Sequence, residues 1–227
     1  MPRQSYQEQL ADLRQNVLYM SEVVLERLRL GLSALEQKDD DLAWEVIDGD
    51  DEVNDLYLQL ERDCMDLLAL QQPVAGDLRF IAASFKIITD LERIADLAVN
   101  LGDYALEADR DVFPDVDIQG LGDRVQAMVE DAMAAYDAED AEACFAIAER
   151  DDDVDAACTE ASQVVVRDLI ETQLEEGAED EADIERLMTD VQRLLLTIRD
   201  LERVGDHAVN IAARTLYMVE SSDELIY

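Results

Sequence analysis

Histidine occurs once in this chain of 227 residues, proline three times, lysine twice and glycine eight times. Each shortage excludes something. His207 alone makes no credible Ser-His-Asp or Cys-His catalytic set. Nor can it supply the two Glu-x-x-His pairs that a carboxylate-bridged di-iron oxidase places on two helices, and neither Glu92 nor Glu202 has histidine three residues on. No glycine-rich phosphate loop is present. The scarcity of proline and glycine, beside abundant Ala, Leu, Glu, Asp and Arg, favours long helices over sheet.

Positive charge is also short. Eighteen basic residues face 56 acidic ones, so no basic stripe exists to neutralise nucleic-acid phosphates. Attraction to an anionic membrane surface is excluded on the same ground. No run of about eighteen apolar residues occurs, and the opening Met1 to Ser5 lacks the apolar core of a signal peptide, so a cytoplasmic chain without membrane insertion is expected. Cys64, Cys144 and Cys158 are odd in number, far apart and set in apolar helical patterns. They read as core thiols in a reducing compartment rather than disulfides or zinc ligands.

What is present is carboxylate. A net charge of −38 with 49% hydrophobic residues is too apolar for disorder, yet a compact chain so charged repels itself. Concentrated salt screens that repulsion, so a salt-loving source and loss of structure in dilute buffer are expected.

Apolar periodicity organises the carboxylates. Leu10, Leu13, Val17, Met20, Val24, Leu28, Leu32 and Leu35 recur every three or four residues, predicting one long amphipathic helix over 5–36. A second helix is expected over 41–70, with Val46, Ile47, Val53, Leu56, Leu60, Leu67 and Leu68 as its buried stripe, ended by Gln71-Gln72-Pro73. Asp77 is the expected cap of a third, over 77–109. Pro114 and two glycines mark 112–122 as a linker. Three further helices follow, carrying Val125 to Tyr136, Ile147 to Leu169, and a last stretch over 180–220. The expectation is an all-α chain of two tandem three-helix units, 1–111 and 123–227.

The units are tied by a repeated string. Asp90-Leu91-Glu92-Arg93-Ile94-Ala95-Asp96-Leu97-Ala98-Val99-Asn100 returns 110 residues later as Asp200-Leu201-Glu202-Arg203-Val204-Gly205-Asp206-His207-Ala208-Val209-Asn210, identical at eight of eleven positions. Glu92/Asp96 and Glu202/Asp206 are spaced i,i+4, with an asparagine four residues further, which stacks three oxygen-bearing side chains along one helix stripe. Like charges one turn apart repel, and a bound cation removes the conflict. An acidic i,i+4 pair arises by chance at about one position in sixteen at this density, so the duplication and not the spacing carries the signal.

The middle helices correspond more weakly. Asp50-Asp51-Glu52-Val53-Asn54 matches Asp151-Asp152-Asp153-Val154-Asp155 at an offset of 101 residues. A nine-residue acidic insertion over 175–183 reconciles the two offsets. Each unit thus offers two i,i+4 pairs, Asp50/Asn54 with Glu92/Asp96 and Asp151/Asp155 with Glu202/Asp206, which antiparallel helices bring face to face. Oxygen ligands suit hard cations such as Mg²⁺, Ca²⁺, Mn²⁺ or ferric iron, and ligand type does not choose among them. A solvated acidic face on a purely structural helical adaptor is the competing reading. His207 lies about 100° around the helix from Asp206, a bystander or a group behind the ligands. Arg93 and Arg203 either hold neighbouring carboxylates or form ordinary surface ion pairs.

Gln72-Pro73-Val74-Ala75-Gly76-Asp77-Leu78-Arg79, with both copies of the Asp-Leu-Glu-Arg string, resembles the PhoU family over essentially the whole chain. The resemblance implies two pseudo-symmetric three-helix bundles, a homodimer, and multinuclear clusters of iron or another metal on paired acidic motifs. Carried over, the metal positions are Asp50, Glu92, Asp96, Asp151, Asp155, Glu202 and Asp206, with Asn54 standing where the second half has Asp155. It further implies a non-enzymatic negative regulator of phosphate uptake and phosphate signalling, whose partners are the ATPase of the phosphate ABC transporter and, where one exists, a sensor kinase. Regulation of a different ion transporter or channel is the alternative within the same fold.

Overall fold

In a computed structural model of the chain, residues 2–70, 73–107, 116–175 and 181–226 are described, and all regular structure among them is helical. The helices are α1 (Pro2–Gln37), α2 (Asp40–Asp48), α3 (Asp50–Leu70), α4 (Ala75–Leu106), α5 (Ile118–Ala138), α6 (Ala141–Glu175) and α7 (Glu181–Glu220). The first unit is α1 to α4 and the second α5 to α7, as the all-α tandem expectation requires.

Local chemistry repeats with the units. Lys38 ends α1 in the left-handed region (φ 52), and Glu139 ends α5 the same way (φ 56), 101 residues later. Behind each, an aspartate amide reaches back to a helix carbonyl, Asp39 to Ala34 at 3.2 Å and Asp140 to Ala135 at 3.0 Å. Both aspartates then cap the following helix: Asp39 Oδ1 accepts from the amides of Asp41 and Leu42, and Asp140 Oδ1 from those of Glu142 and Ala143.

The expected single helix over 41–70 is two. It breaks at Gly49, whose amide closes α2 on Glu45 O at 3.2 Å. The missing side chain at Gly49 leaves room for another helix: the Arg27 guanidinium, paired with Glu52 at 2.8 Å, lies so close that a Cβ on Gly49 would stand 2.4 Å from its Cζ. Arg150 occupies the equivalent register of the second unit, and α6 runs through unbroken.

Two other boundaries differ from expectation. Val74, without a side-chain cap bond, precedes α4, and Asp77 sits in its first turn, where a carboxylate meets the positive end of the helix dipole. Ile118 to Gly122, expected as linker, form the start of α5, capped by Asp117 Oδ1 on the Gly120 amide at 2.8 Å. Gly122 serves packing rather than a turn, since a Cβ there would lie 2.5 Å from Leu32 Cδ2. The rest of the expected linker before Val116, the Gln71-Gln72 break and most of the acidic insertion over 175–183 lie outside the described residues.

Helices α4 and α7 form the centre. Ile81, Ile87, Ile88, Leu91, Ile94 and Leu101 of α4, and Ile198, Leu201, Val204, Ile211 and Leu216 of α7, are buried in a core that runs without a break through both units. The α1 seam from Leu10 to Leu32 is buried as its periodicity predicts, as are all three cysteines. Leu68 is not in the core: it is 37% exposed.

Polar groups gather around Tyr136 where α1, α4 and α5 meet. Ser84 and Tyr136 share a buried hydrogen bond of 2.7 Å between α4 and α5. Arg14 of α1 lies over the Phe80 and Tyr136 rings and donates to the carbonyls of Tyr136 and Asp137 at the end of α5.

Candidate metal centre and its interhelix brace

The two copies of the repeated string lie on α4 and α7, and they meet through their ends. Asn100 Nδ2 donates to Asp200 Oδ2 at 3.0 Å, and Asn210 Nδ2 to Asp90 Oδ1 at 3.3 Å. The last residue of each copy therefore reaches the first residue of the other. Such reciprocity requires the helices to run antiparallel, with each motif spanning the crossing.

The first contact is the more heavily built. Asp200 is buried, with Tyr104 OH on Oδ2 at 2.9 Å and Arg199 Nε and Nη2 on Oδ1 at 3.1 and 2.8 Å. Burial, and then the bond to Asp200, push the Tyr104 hydroxyl up to about 12. At the second contact His207 Nδ1 lies 2.9 Å from Asp90 Oδ1. His207 is thus a partner of α4 across the crossing.

Asparagines expected to continue the acidic stripes instead hold the two halves together. Asp90, Asp200, Tyr104 and Arg199 were not among the sequence candidates. The available signal was that Asp and Asn are identical at both ends of the string in both copies.

Between the braces stand the carboxylates. In the first half, Asp50 opens α3 just after the Gly49 break, and its Oδ2 accepts from Asn54 Nδ2 at 2.7 Å. Burial and the neighbouring Asp96 push Asp50 above the ordinary carboxylate range, and the same two causes raise Glu92. Arg93 answers part of this repulsion, lying 3.4 Å from Glu92 Oε2 and 3.0 Å from Asp96 Oδ2. A cleft of about 350 Å³ is lined by Asp50, Arg93, Asp96 and Asn100, together with Arg203 from α7.

The second half has the same frame and different chemistry. Asp151 and Asp155 lie on α6, opposite Glu202 and Asp206 of α7. Burial, then the charges of Asp155, Asp206, Asp152 and Glu202, push Asp151 up to about 6. Glu202 is raised by burial, Asp155 and Asp206, and Asp206 by burial and Asp155. The structure therefore groups each quartet read from sequence, half by half.

Fit to a cation differs between the halves. Asp151 Oδ1 is buried and has no hydrogen-bond partner. It stands over Gly205, where a Cβ would come within 3.2 Å of it. A buried anionic oxygen left unpaired is costly, and four carboxylates suit a hard cation. Among the described residues, no group of three or more His, Cys, Asp or Glu side chains stands ready to hold an ion. The second quartet is an open group of anions, and drawing three of its oxygens onto one ion takes rotamer changes. In the first half no buried oxygen of Asp50, Glu92 or Asp96 is left unpaired.

Paired acidic stripes on a duplicated three-helix frame, locked at an antiparallel crossing, define a tandem helical-bundle repeat protein. A family model described as the PhoU domain matches residues 17–105 and 118–215. The chain belongs to the PhoU family. A phosphate-specific transport system accessory protein PhoU homologue from Pseudomonas aeruginosa is 31% identical, with 97% of this chain and 87% of the relative covered. Homologue 1 from Methanothermobacter thermautotrophicus is 33% identical over 96% of this chain and 95% of the relative. The crystal structure of PhoU from Pseudomonas aeruginosa superposes with a TM-score of 0.84 at 30% identity, covering 96% of this chain and all of that one. The phosphate transport system regulatory protein PhoU from Streptococcus pneumoniae gives 0.83 at 25% identity, over 96% of this chain and 98% of that one. No described helix is long and apolar enough to cross a membrane.

Proposed function

We propose that this chain is a non-enzymatic accessory protein of phosphate transport, which lowers phosphate uptake and phosphate signalling when phosphate is abundant. Family membership and its relatives, phosphate transport accessory and regulatory proteins, support the reading. It acts in the cytoplasm as a homodimer, docking on the ATPase of the phosphate ABC transporter and, where one exists, a sensor kinase.

The observation that carries the metal part of the reading is the unpaired, buried Asp151 Oδ1 among Asp155, Glu202 and Asp206. A hard cation there neutralises carboxylates that otherwise repel, and fixes α6 against α7 so that their outer faces form one docking surface. Asp50, Asn54, Glu92 and Asp96 are the equivalent positions of the first half. The ion would supply charge neutralisation and no chemistry.

Phosphate uptake in a strain lacking this gene, grown with abundant phosphate, tests the reading. High uptake, returned to low by the intact gene, supports it. Uptake equal to the parent's overturns the phosphate assignment and leaves a regulator of another ion transporter or a structural adaptor on the same fold.

A further inference from the structure

The family resemblance implies a metal cluster in each half, and the two halves of this chain are not built alike. In the second half, Asp151, Asp155, Glu202 and Asp206 make no hydrogen bond or ion pair among the described residues. Arg203 and His207 ease Asp206 only through space. In the first half the fourth carboxylate is missing: Asn54 stands in its place and spends its amide on Asp50. Arg93 spans Glu92 and Asp96, and Arg203 crosses from α7 into the same cleft. Two of the three carboxylates there are paired with Arg93, while the four carboxylates of the other half pair with no guanidinium.

The arginines arise from one motif position, yet only Arg93 pairs directly with the carboxylates of its own half. Each copy reads Asp-Leu-Glu-Arg, so sequence symmetry alone would place one guanidinium beside each quartet. The antiparallel crossing of α4 and α7 instead lets Arg203 line the first-half cleft beside Leu97 and Asn100.

We propose that this chain takes its cation in the second half, and that Arg93 serves as a built-in counter-ion that closes the first half to metal, with Arg203 lining the same cleft. The inference rests on the cation reading above and narrows it. A cation entering the first half must strip Arg93 from two carboxylates, find no fourth anion, and sit near a second fixed positive charge. A cation entering the second half displaces nothing and pairs an oxygen that has no partner.

Mn²⁺ binding by the full-length chain, followed by the electron paramagnetic resonance signal of the free ion in concentrated KCl, tests this. The salt suppresses diffuse binding to the acidic surface. The expected result is one tight class of sites, abolished by Asp155→Asn with Glu202→Gln and retained in Glu92→Gln. Arg93→Gln with Arg203→Gln should raise a second class equal in number to the first, its affinity up about tenfold or more, as expected for removing cations beside a divalent ion. Arg93 is largely solvent-exposed, so these variants keep the core intact, and circular dichroism checks that they fold. Two equal classes in the unmodified protein, half of them lost in Glu92→Gln, would overturn the asymmetry and leave the cation reading standing. Unchanged binding in the double arginine variant would also overturn it. No tight Mn²⁺ in any folded variant would remove the cation reading and this inference together.

Discussion

Asn100 Nδ2 lies 3.0 Å from Asp200 Oδ2, joining the last residue of one motif copy to the first residue of the other. Because Asp200 is buried and also accepts from Tyr104 and Arg199, the contact belongs to a saturated network rather than a surface pair. Its mirror, Asn210 on Asp90, is longer at 3.3 Å and exposed. A double-mutant cycle on Asn100→Ala and Asp200→Ala, read by denaturant unfolding, should give a coupling of about 1–2 kcal/mol. The cycle on Asn210→Ala and Asp90→Ala should give less than about half that. Equal couplings would mean that burial of Asp200 does not set the strength of the brace.

How much of this was legible in the sequence depends on whether the deciding partner is local. The α1 seam and the buried stripe of α5 follow from apolar neighbours within a few residues. The break at Gly49 was not legible: the apolar spacing of Val46, Val53 and Leu60 runs straight through it, and the Arg27 side chain beside it comes from another helix. Asn100 and Asn210 read as members of an acidic stripe because i,i+4 spacing describes one helix, whereas their partners depend on the crossing of two. Arg93 and Arg203 show the same limit: one motif position, two environments.

Gly205 is the one small-residue difference between the motif copies that touches the candidate centre; Ala95 stands in its place on α4. In Gly205→Ala the new methyl would meet Asp151 Oδ1 at 3.2 Å and Val154 Cγ1 at 3.7 Å, so the carboxylate must give by a few tenths of an ångström. Helix propensity favours the alanine by about 1 kcal/mol, which offsets the crowding. The variant should therefore unfold within about 1 kcal/mol of the parent while binding Mn²⁺ more weakly. Unaltered Mn²⁺ affinity would show that Asp151 does not need that space.

Salt should control folding more than any single contact does. The net charge of −38 far exceeds what ion pairs such as Arg150 with Asp131, whose side chains are both exposed, can offset. Self-repulsion of that size is screened in molar salt and hardly at all at millimolar ionic strength. Far-ultraviolet circular dichroism should show full helicity in molar KCl and a large, reversible loss after dialysis into millimolar buffer. Helicity that survives dialysis would mean that the core spanning both units outweighs the repulsion unaided.

The pH dependence of the cation-free chain follows from the crowding of carboxylates. Burial and four neighbouring acids lift Asp151 from 3.8 to about 6, and Asp50, Glu92, Glu202 and Asp206 move the same way. An acid whose folded-state value lies above its unfolded one holds its proton more tightly when folded. The stability this confers is fully present below the unfolded value and is lost as pH rises through the folded value. Between about pH 4 and about pH 6, therefore, the metal-free protein should lose stability as pH rises, with its melting temperature falling and levelling out near neutrality. Asp151→Asn removes the carboxyl lifted to about 6 and should flatten that slope, while saturating Mn²⁺ should oppose it by favouring the ionised quartet. A slope unchanged in Asp151→Asn would locate the pH dependence elsewhere in the carboxylate surface, and Asp151 would then be an ordinary acid rather than the strained member of the second-half quartet.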